Sequence, residues 1–272
     1  MPTFHTAEPI TAVVEVVAGT VRLAATDRDD TVVDIKPRDP ERTSDVRAAE
    51  QARIDFHDGT LMVTAGRKVL SMGRGGAVRV DIGLPTGSRL NLSSASAGID
   101  ADGGYSDCRL ATASGAMRVA SVAGNLKADS ASGDITVGDL TGNARIATAS
   151  GDAQIDRVDG DLKFQAASGS LTVGTLRGHA RHQTASGSVT IAVAVNGALS
   201  AQTGSGEVEV GIPEGTAARL ELKTHSGTVD NGLQSSDGPA DGDETFRLQA
   251  RTGSGDISIR RAVGPVSAGH SS

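Results

Sequence analysis

From residue 133 to 195 the chain falls into rows of nine: GDITVGDLT, GNARIATAS, GDAQIDRVD, GDLKFQAAS, GSLTVGTLR, GHARHQTAS and GSVTIAVAV. The third and fifth positions of a row are apolar almost throughout, as in Ile135 and Val137, Ala144 and Ile146, Ala153 and Ile155, Leu162 and Phe164, Leu171 and Val173, and Val189 and Ile191. The fourth position is polar, as in Thr136, Arg145, Gln154, Lys163, Thr172 and Arg181. Apolar residues two apart around a polar one predict short strands with one face inward and the other in water. An apolar eighth position (Leu140, Ala149, Val158, Ala167, Leu176) lies beyond the strand and is expected to plug the corner.

Every row opens on glycine. Gly115 and Gly124 extend the register backward, and Gly197, Gly206 and Gly215 continue it after a one-residue slip. Glycine turns a chain through positive φ without steric cost, so the row glycines are expected to be structural turns. A longer period lies over the first. Ser-Gly recurs at Ser114, Ser132, Ser150, Ser168 and Ser186, before Gly115, Gly133, Gly151, Gly169 and Gly187, while the outward basic residues Lys127, Arg145, Lys163 and Arg181 occupy only the other rows. The repeating unit is therefore eighteen residues. The predicted fold is all-β, a parallel β-solenoid (β-helix) with two strands per coil, in which residue i stacks on i+18. An antiparallel meander shows the same alternation but leaves one apolar face without a cover.

Residues 1–90 lack the glycine register but carry strand-like runs such as TAVVEVV and TLMVTA, and are expected to form a β-rich capping region. Within it, Pro40, a Ser44 cap and the segment DVRAAEQAR predict one short helix near residues 42–51. The solenoid repeats are assigned to 91–262 and a disordered tail to 263–272. Late in the chain the spacing stretches between Ser205-Gly206, Ser226-Gly227 and Ser254-Gly255, which makes GLQSSDGPADGDE an exposed loop.

The run SASGDITVGDLTGNARIATASGDAQID, with LELKTHSGTVDN and a closing TGSGDISI, resembles the bacterial putative-adhesin family of β-strand-repeat proteins, a domain of unknown function. The resemblance covers roughly residues 10–262 and implies a β-helical fold with a binding or adhesive role; many members are exported or membrane-attached. It carries no catalytic set.

Composition fits a narrow core. The chain has 35 glycines, no tryptophan, one tyrosine and four phenylalanines, so Val, Ile, Leu and Ala must fill it. A formal net charge of -7 argues against whole-surface attraction to nucleic acid, and the lack of interleaved aromatic residues argues against single-strand binding. Cys108 stands alone and forms no internal disulfide. The N-terminal segment shows no basic start followed by an apolar run, and no stretch approaches the roughly 20 apolar residues of a membrane helix, so the expectation is a cytoplasmic protein.

The basic column of Lys127, Arg145, Lys163 and Arg181 is the leading candidate surface, since like charges stacked about 4.8 Å apart repel unless solvated or matched by an anion. His179 and His182 sit three apart, but on a strand they face opposite ways, which predicts a neutral core His182 over a metal pair. His225 falls in a later repeat. The acidic groups Asp100, Asp102 and Asp107, and Asp237, Asp241, Asp243 and Glu244, match no calcium loop and read as solvated. SMGRGG at 71–76 lacks the lysine of a phosphate-binding loop. No cofactor, metal or nucleophile motif is present, and the expected function is non-enzymatic: an adhesin-like binding scaffold for a protein or polyanionic macromolecule. The alternatives are a self-assembling filament and, behind it, a solenoid carbohydrate-active enzyme whose dispersed carboxylates spacing would not reveal.

Overall fold

The computed structural model describes residues 2–66, 76–234, 238–239 and 242–262. The protein is mostly β-strand, with one helix among the described residues. It forms two compact units, Met1–Ile155 and Asp156–Ser272. The boundary expected at 90/91 falls inside a strand, Arg89–Tyr105.

The first unit holds β1 (Thr3–His5), β2 (Thr11–Thr26), β3 (Asp30–Pro37), α1 (Thr43–Glu50), β4 (Arg53–His57), β5 (Thr60–Ala65), β6 (Val78–Pro85), β7 (Arg89–Tyr105), β8 (Cys108–Thr112), β9 (Met117–Val122), β10 (Asn125–Ser130) and β11 (Ile135–Thr148). The division between units falls within β12 (Ala153–Ala166). Two parallel ladders run through this unit at an interval of eighteen. In one, Leu90 pairs with Cys108, Cys108 with Leu126 and Leu126 with Ala144. In the other, Ile99 pairs with Met117 and Met117 with Ile135. All of these residues are buried. The inward positions read from the rows, from Ile135 to Ile191, are likewise buried, because alternation places every second side chain on the water-excluded face.

At the start of the chain, spatial order departs from chain order. β2 pairs in parallel with β5 and β6 on one side and with β7 on the other. β3 and β4 then run antiparallel to β6 and β5, and β1 antiparallel to β3. α1 packs against β3 and β6. The helix stands where it was predicted, but Ser44 is not its cap: the N-cap is Arg42, without a side-chain hydrogen bond. Ser44 instead donates to Asp45, whose buried carboxylate also accepts the Ala77 N–H at 3.0 Å.

The second unit continues with β13 (Leu171–Ser186), β14 (Val189–Ser205), β15 (Val208–Ile212), β16 (Thr216–Ser226), β17 (Val229–Asn231), β18 (Glu244–Ser254) and β19 (Ile257–Arg261). The interval of eighteen holds between β13 and β14 up to Leu176 and Ala194, then a bulge changes it to nineteen from Arg177 and Asn196 onward. That bulge is the slip read in the glycines. Here too chain order and spatial order part: β18 lies between β14 and β16, and β19 pairs with both β15 and β17. The tail assigned to 263–272 lies outside the described residues, as do 71–75 of SMGRGG and both Asp237 and Asp241.

Two expectations about the corners change. Leu140, Val158 and Leu176 are buried plugs, whereas Ala149 and Ala167 are exposed, so only alternate rows use the eighth position for packing. The row glycines also fall into two kinds. Gly142, Gly160, Gly178 and Gly197 have positive φ, but Gly115, Gly133, Gly151, Gly169 and Gly187 do not. Four of these five are glycine for another reason: a Cβ on Gly115, Gly133, Gly151 or Gly187 would strike the carbonyl oxygen of Ala97, Gly115, Gly133 or Gly169 in the adjacent turn.

Candidate binding surfaces

In the first unit the outward positions of one ladder align Asn91, Arg109, Lys127 and Arg145 on adjacent strands. With Arg89, Asn125 and Asn143 they line a groove of about 490 Å³. Some of this charge is answered locally: Lys127 lies 3.2 Å from Asp129, and Arg89 lies 3.5 Å from Asp107. Asp107 also accepts the Asn125 N–H at 2.9 Å, and this bond, with the Asn125 amide beside it, holds its carboxyl below the usual range. Arg109 forms no ion pair among the described residues. It stands eighteen residues before Lys127, so the interval itself identifies it, although the row around it lacks the regular glycine and apolar spacing.

Lys163 on β12 and Arg181 on β13 belong to the second unit, the first half-buried and the second exposed. Arg181 faces Ser200 on β14, so the basic run stops there. A different column follows two residues on. The Gln165 amide donates to Gln183 at 3.4 Å, and Gln183 donates to Gln202 at 3.3 Å. In register, Gln202 then faces Arg251 on β18, and Arg251 faces Lys223 on β16. These residues, with His225, line a groove of about 830 Å³ that contains no carboxylate among the described residues.

The same face of β16 and β18 sets Arg219 opposite Arg247, with Glu221 bridging them at 4.0 and 2.6 Å. The Arg247 guanidinium holds the Glu221 carboxyl below its usual range. Lys223 and Arg251 form no ion pair among the described residues. Gln165 and Gln183 are legible as an eighteen-residue pair. The approach of Lys223 to Arg251 is not, because it depends on β18 inserting beside β16.

The remaining candidates resolve into structure. His182 is fully buried, stacks on Phe164 at a ring-centroid distance of 5.5 Å, and has no hydrogen-bond partner among the described residues at either ring nitrogen. Burial lowers its pKa to about 4, so the ring is neutral. His179 points outward to Asp161 at 3.1 Å. Asp100 lies 3.8 Å from Arg118, and no group of three or more His, Cys, Asp and Glu among the described residues is placed to hold a metal ion. Cys108 is buried, with its thiol pushed up to about 12. No helix among the described residues is long and apolar enough to cross a membrane.

The family model Toastrack DUF4097 matches residues 13–260 and so takes in both grooves. The chain belongs to the Toastrack family. Solved structures resemble this Toastrack chain along nearly its whole length. One, a putative lipid binding protein from Parabacteroides distasonis, is 14% identical, with 95% of each chain covered and a TM-score of 0.52. A putative adhesin from Bacteroides fragilis, also 14% identical over 95% of each chain, gives a TM-score of 0.43. A putative cell adhesion protein from Clostridium sporogenes is 9% identical, covers 96% of this chain and 98% of its own, and gives 0.23. No curated protein matches the sequence.

Proposed function

We propose that this Toastrack chain is a non-enzymatic, adhesin-like binding module, a β-solenoid of eighteen-residue coils whose outward columns engage a macromolecular polyanion. The observation that carries this reading is the register of Arg109, Lys127 and Arg145 on three adjacent strands. Neighbouring strands lie about 4.8 Å apart, so the three cations repeat at a spacing that a polymer with closely spaced anionic groups matches, and that a single small anion does not. Within the second unit Lys163 and Arg181 carry the same charge. The protein of similar fold from Parabacteroides distasonis is named for lipid binding, and anionic lipid is one form the polyanion takes in the test below.

The test is binding of the full chain to sulfated dextran, polyphosphate and phosphatidylglycerol vesicles across a salt series. Charge reversal at Arg109, Lys127 and Arg145 together is expected to weaken binding about tenfold or more at low salt, with the difference shrinking as salt rises. Unchanged affinity in the triple variant would remove the column from the reading.

A second reading, self-assembly, draws on the far edge of the second unit. Leu220 and Leu222 on β16 are only half-buried and Val229 on β17 is 45% exposed, whereas their ladder partners Leu248, Ala250 and Ile257 are fully buried. Among the described residues the ladder of β16 is with β18, and no register is formed on its other edge.

A further inference from the structure

We infer that the groove of the second unit is a binding site for an acidic polysaccharide, with the glutamine column on sugar hydroxyls and Lys223 and Arg251 on a carboxylate of the chain. The inference rests on the polyanion reading above and deepens it by naming the substrate class and a second place of contact.

The first reason is length. Gln165, Gln183, Gln202, Arg251 and Lys223 follow one another on adjacent strands, and four strand spacings amount to about 19 Å. A free phosphate or a single sugar does not span that distance; an oligomer does. The second reason is the division of chemistry along the column. At one end two cations face each other in register without an ion pair, in a groove whose lining contains no carboxylate among the described residues. Like charges directly opposite one another destabilise a sheet unless an anion answers them. At the other end the groups are neutral amides.

Each amide both donates and accepts. Gln183 uses one N–H on Gln202 and one lone pair on Gln165, which leaves it one further donor and one further acceptor. Gln202 accepts from Gln183 and is exposed, with both its N–H groups uncommitted. A surface that donates and accepts at successive positions suits hydroxyl groups, which do both. A uniform polyphosphate offers only acceptors and would favour cations along the whole column. A neutral glycan would leave Lys223 unanswered and Arg251 with only the more distant attraction of Glu221. A single-stranded nucleic acid would call for aromatic platforms, and no Phe, Tyr or Trp lines the groove.

The experiment compares polygalacturonate, dextran and polyphosphate by calorimetry against the full-length protein and two double variants, Lys223→Glu with Arg251→Glu and Gln183→Ala with Gln202→Ala, with folding checked by circular dichroism. Polygalacturonate is expected to bind and dextran not. The charge variant should reduce polygalacturonate affinity at least about tenfold, and the glutamine variant about fivefold, from the loss of several hydrogen bonds, while leaving polyphosphate unaffected. No affinity for polygalacturonate overturns the inference, and so does a glutamine variant indistinguishable from the parent, since bare charge attraction then accounts for the groove. Polyphosphate binding that is lost on reversing Arg109, Lys127 and Arg145, with no polygalacturonate binding, overturns this site while the proposed function stands; absence of binding to every polymer and to vesicles overturns both.

Discussion

Gly133 has no side chain because its neighbour in the adjacent turn, Gly115, comes too close for one, and a built Cβ would overlap that carbonyl oxygen. Gly98 is different: its nearest neighbour would be the Ala116 carbonyl oxygen at 3.8 Å, an ordinary contact. Gly133→Ala is therefore expected to destabilise by about 1–3 kcal/mol through overpacking, and Gly98→Ala to be neutral or slightly stabilising; urea denaturation of the two side by side checks the contrast. His182 gives a second residue-level prediction. Its buried imidazole titrates at about 4 instead of 6.5, so between those values the unfolded chain binds more protons than the folded one. The folded state has its full stability above pH 6.5 and loses it as pH falls toward 4, by about 2 kcal/mol already at pH 5. His182→Leu should flatten that acid-side loss, and should be more stable at neutral pH, because two unpartnered ring nitrogens leave the core. Denaturation midpoints at pH 7.5 and 5 measure both effects.

At the scale of the element, turns are held by a side chain other than the serine of the Ser-Gly repeat. The Thr112 hydroxyl accepts the Gly115 N–H at 2.9 Å, Ser130 that of Gly133 at 2.8 Å and Thr148 that of Gly151 at 2.8 Å. The hydroxyl three residues before the glycine does this work, and the serine immediately before it lies at the exposed rim. Thr148→Val keeps shape and burial but strands the Gly151 N–H, and should cost about 1–3 kcal/mol in a thermal or urea melt; Ser150→Ala should be close to neutral. Strands were legible because their alternation has a period of two, which no helix shares, and the helix because a polar, Ala-rich segment follows Pro40. The insertions of β2 and β18 were not, since each depends on which edge a strand meets after a long connection, and local pattern does not encode that choice.

For the molecule as a whole, charge and edges carry the expectations. A chain of net charge -7 concentrates unpaired cations at Arg109 in one unit and at Lys223 and Arg251 in the other. Attraction of a polyanion to such patches works against the overall field; affinity should fall as salt screens the local contacts, less steeply than the number of cations alone implies, because salt also screens the net repulsion. Assembly has its own test. An exposed strand edge beside half-buried Leu220 and Leu222 is a template for pairing with a second chain, whereas the first unit closes its ladders with antiparallel strands and α1. If the open edge pairs, analytical ultracentrifugation will show concentration-dependent dimers that Leu222→Lys abolishes; a monomer up to high concentration sinks the self-assembly reading.

The eighteen-residue interval, the inward residues, the one-residue slip, the helix and the neutral buried His182 were all set by sequence alone, because each follows from a period or a side-chain volume that acts within one or two turns. Which glycines need positive φ and which need space, which acidic residues brace a neighbour, and which cations meet across β16 and β18 were decided only by tertiary structure. Those outcomes depend on the approach of backbones that are distant along the chain, and the sharpest of them, Arg251 against Lys223 at the end of a glutamine column, exists because the last long strand lies inside the stack and not at its edge.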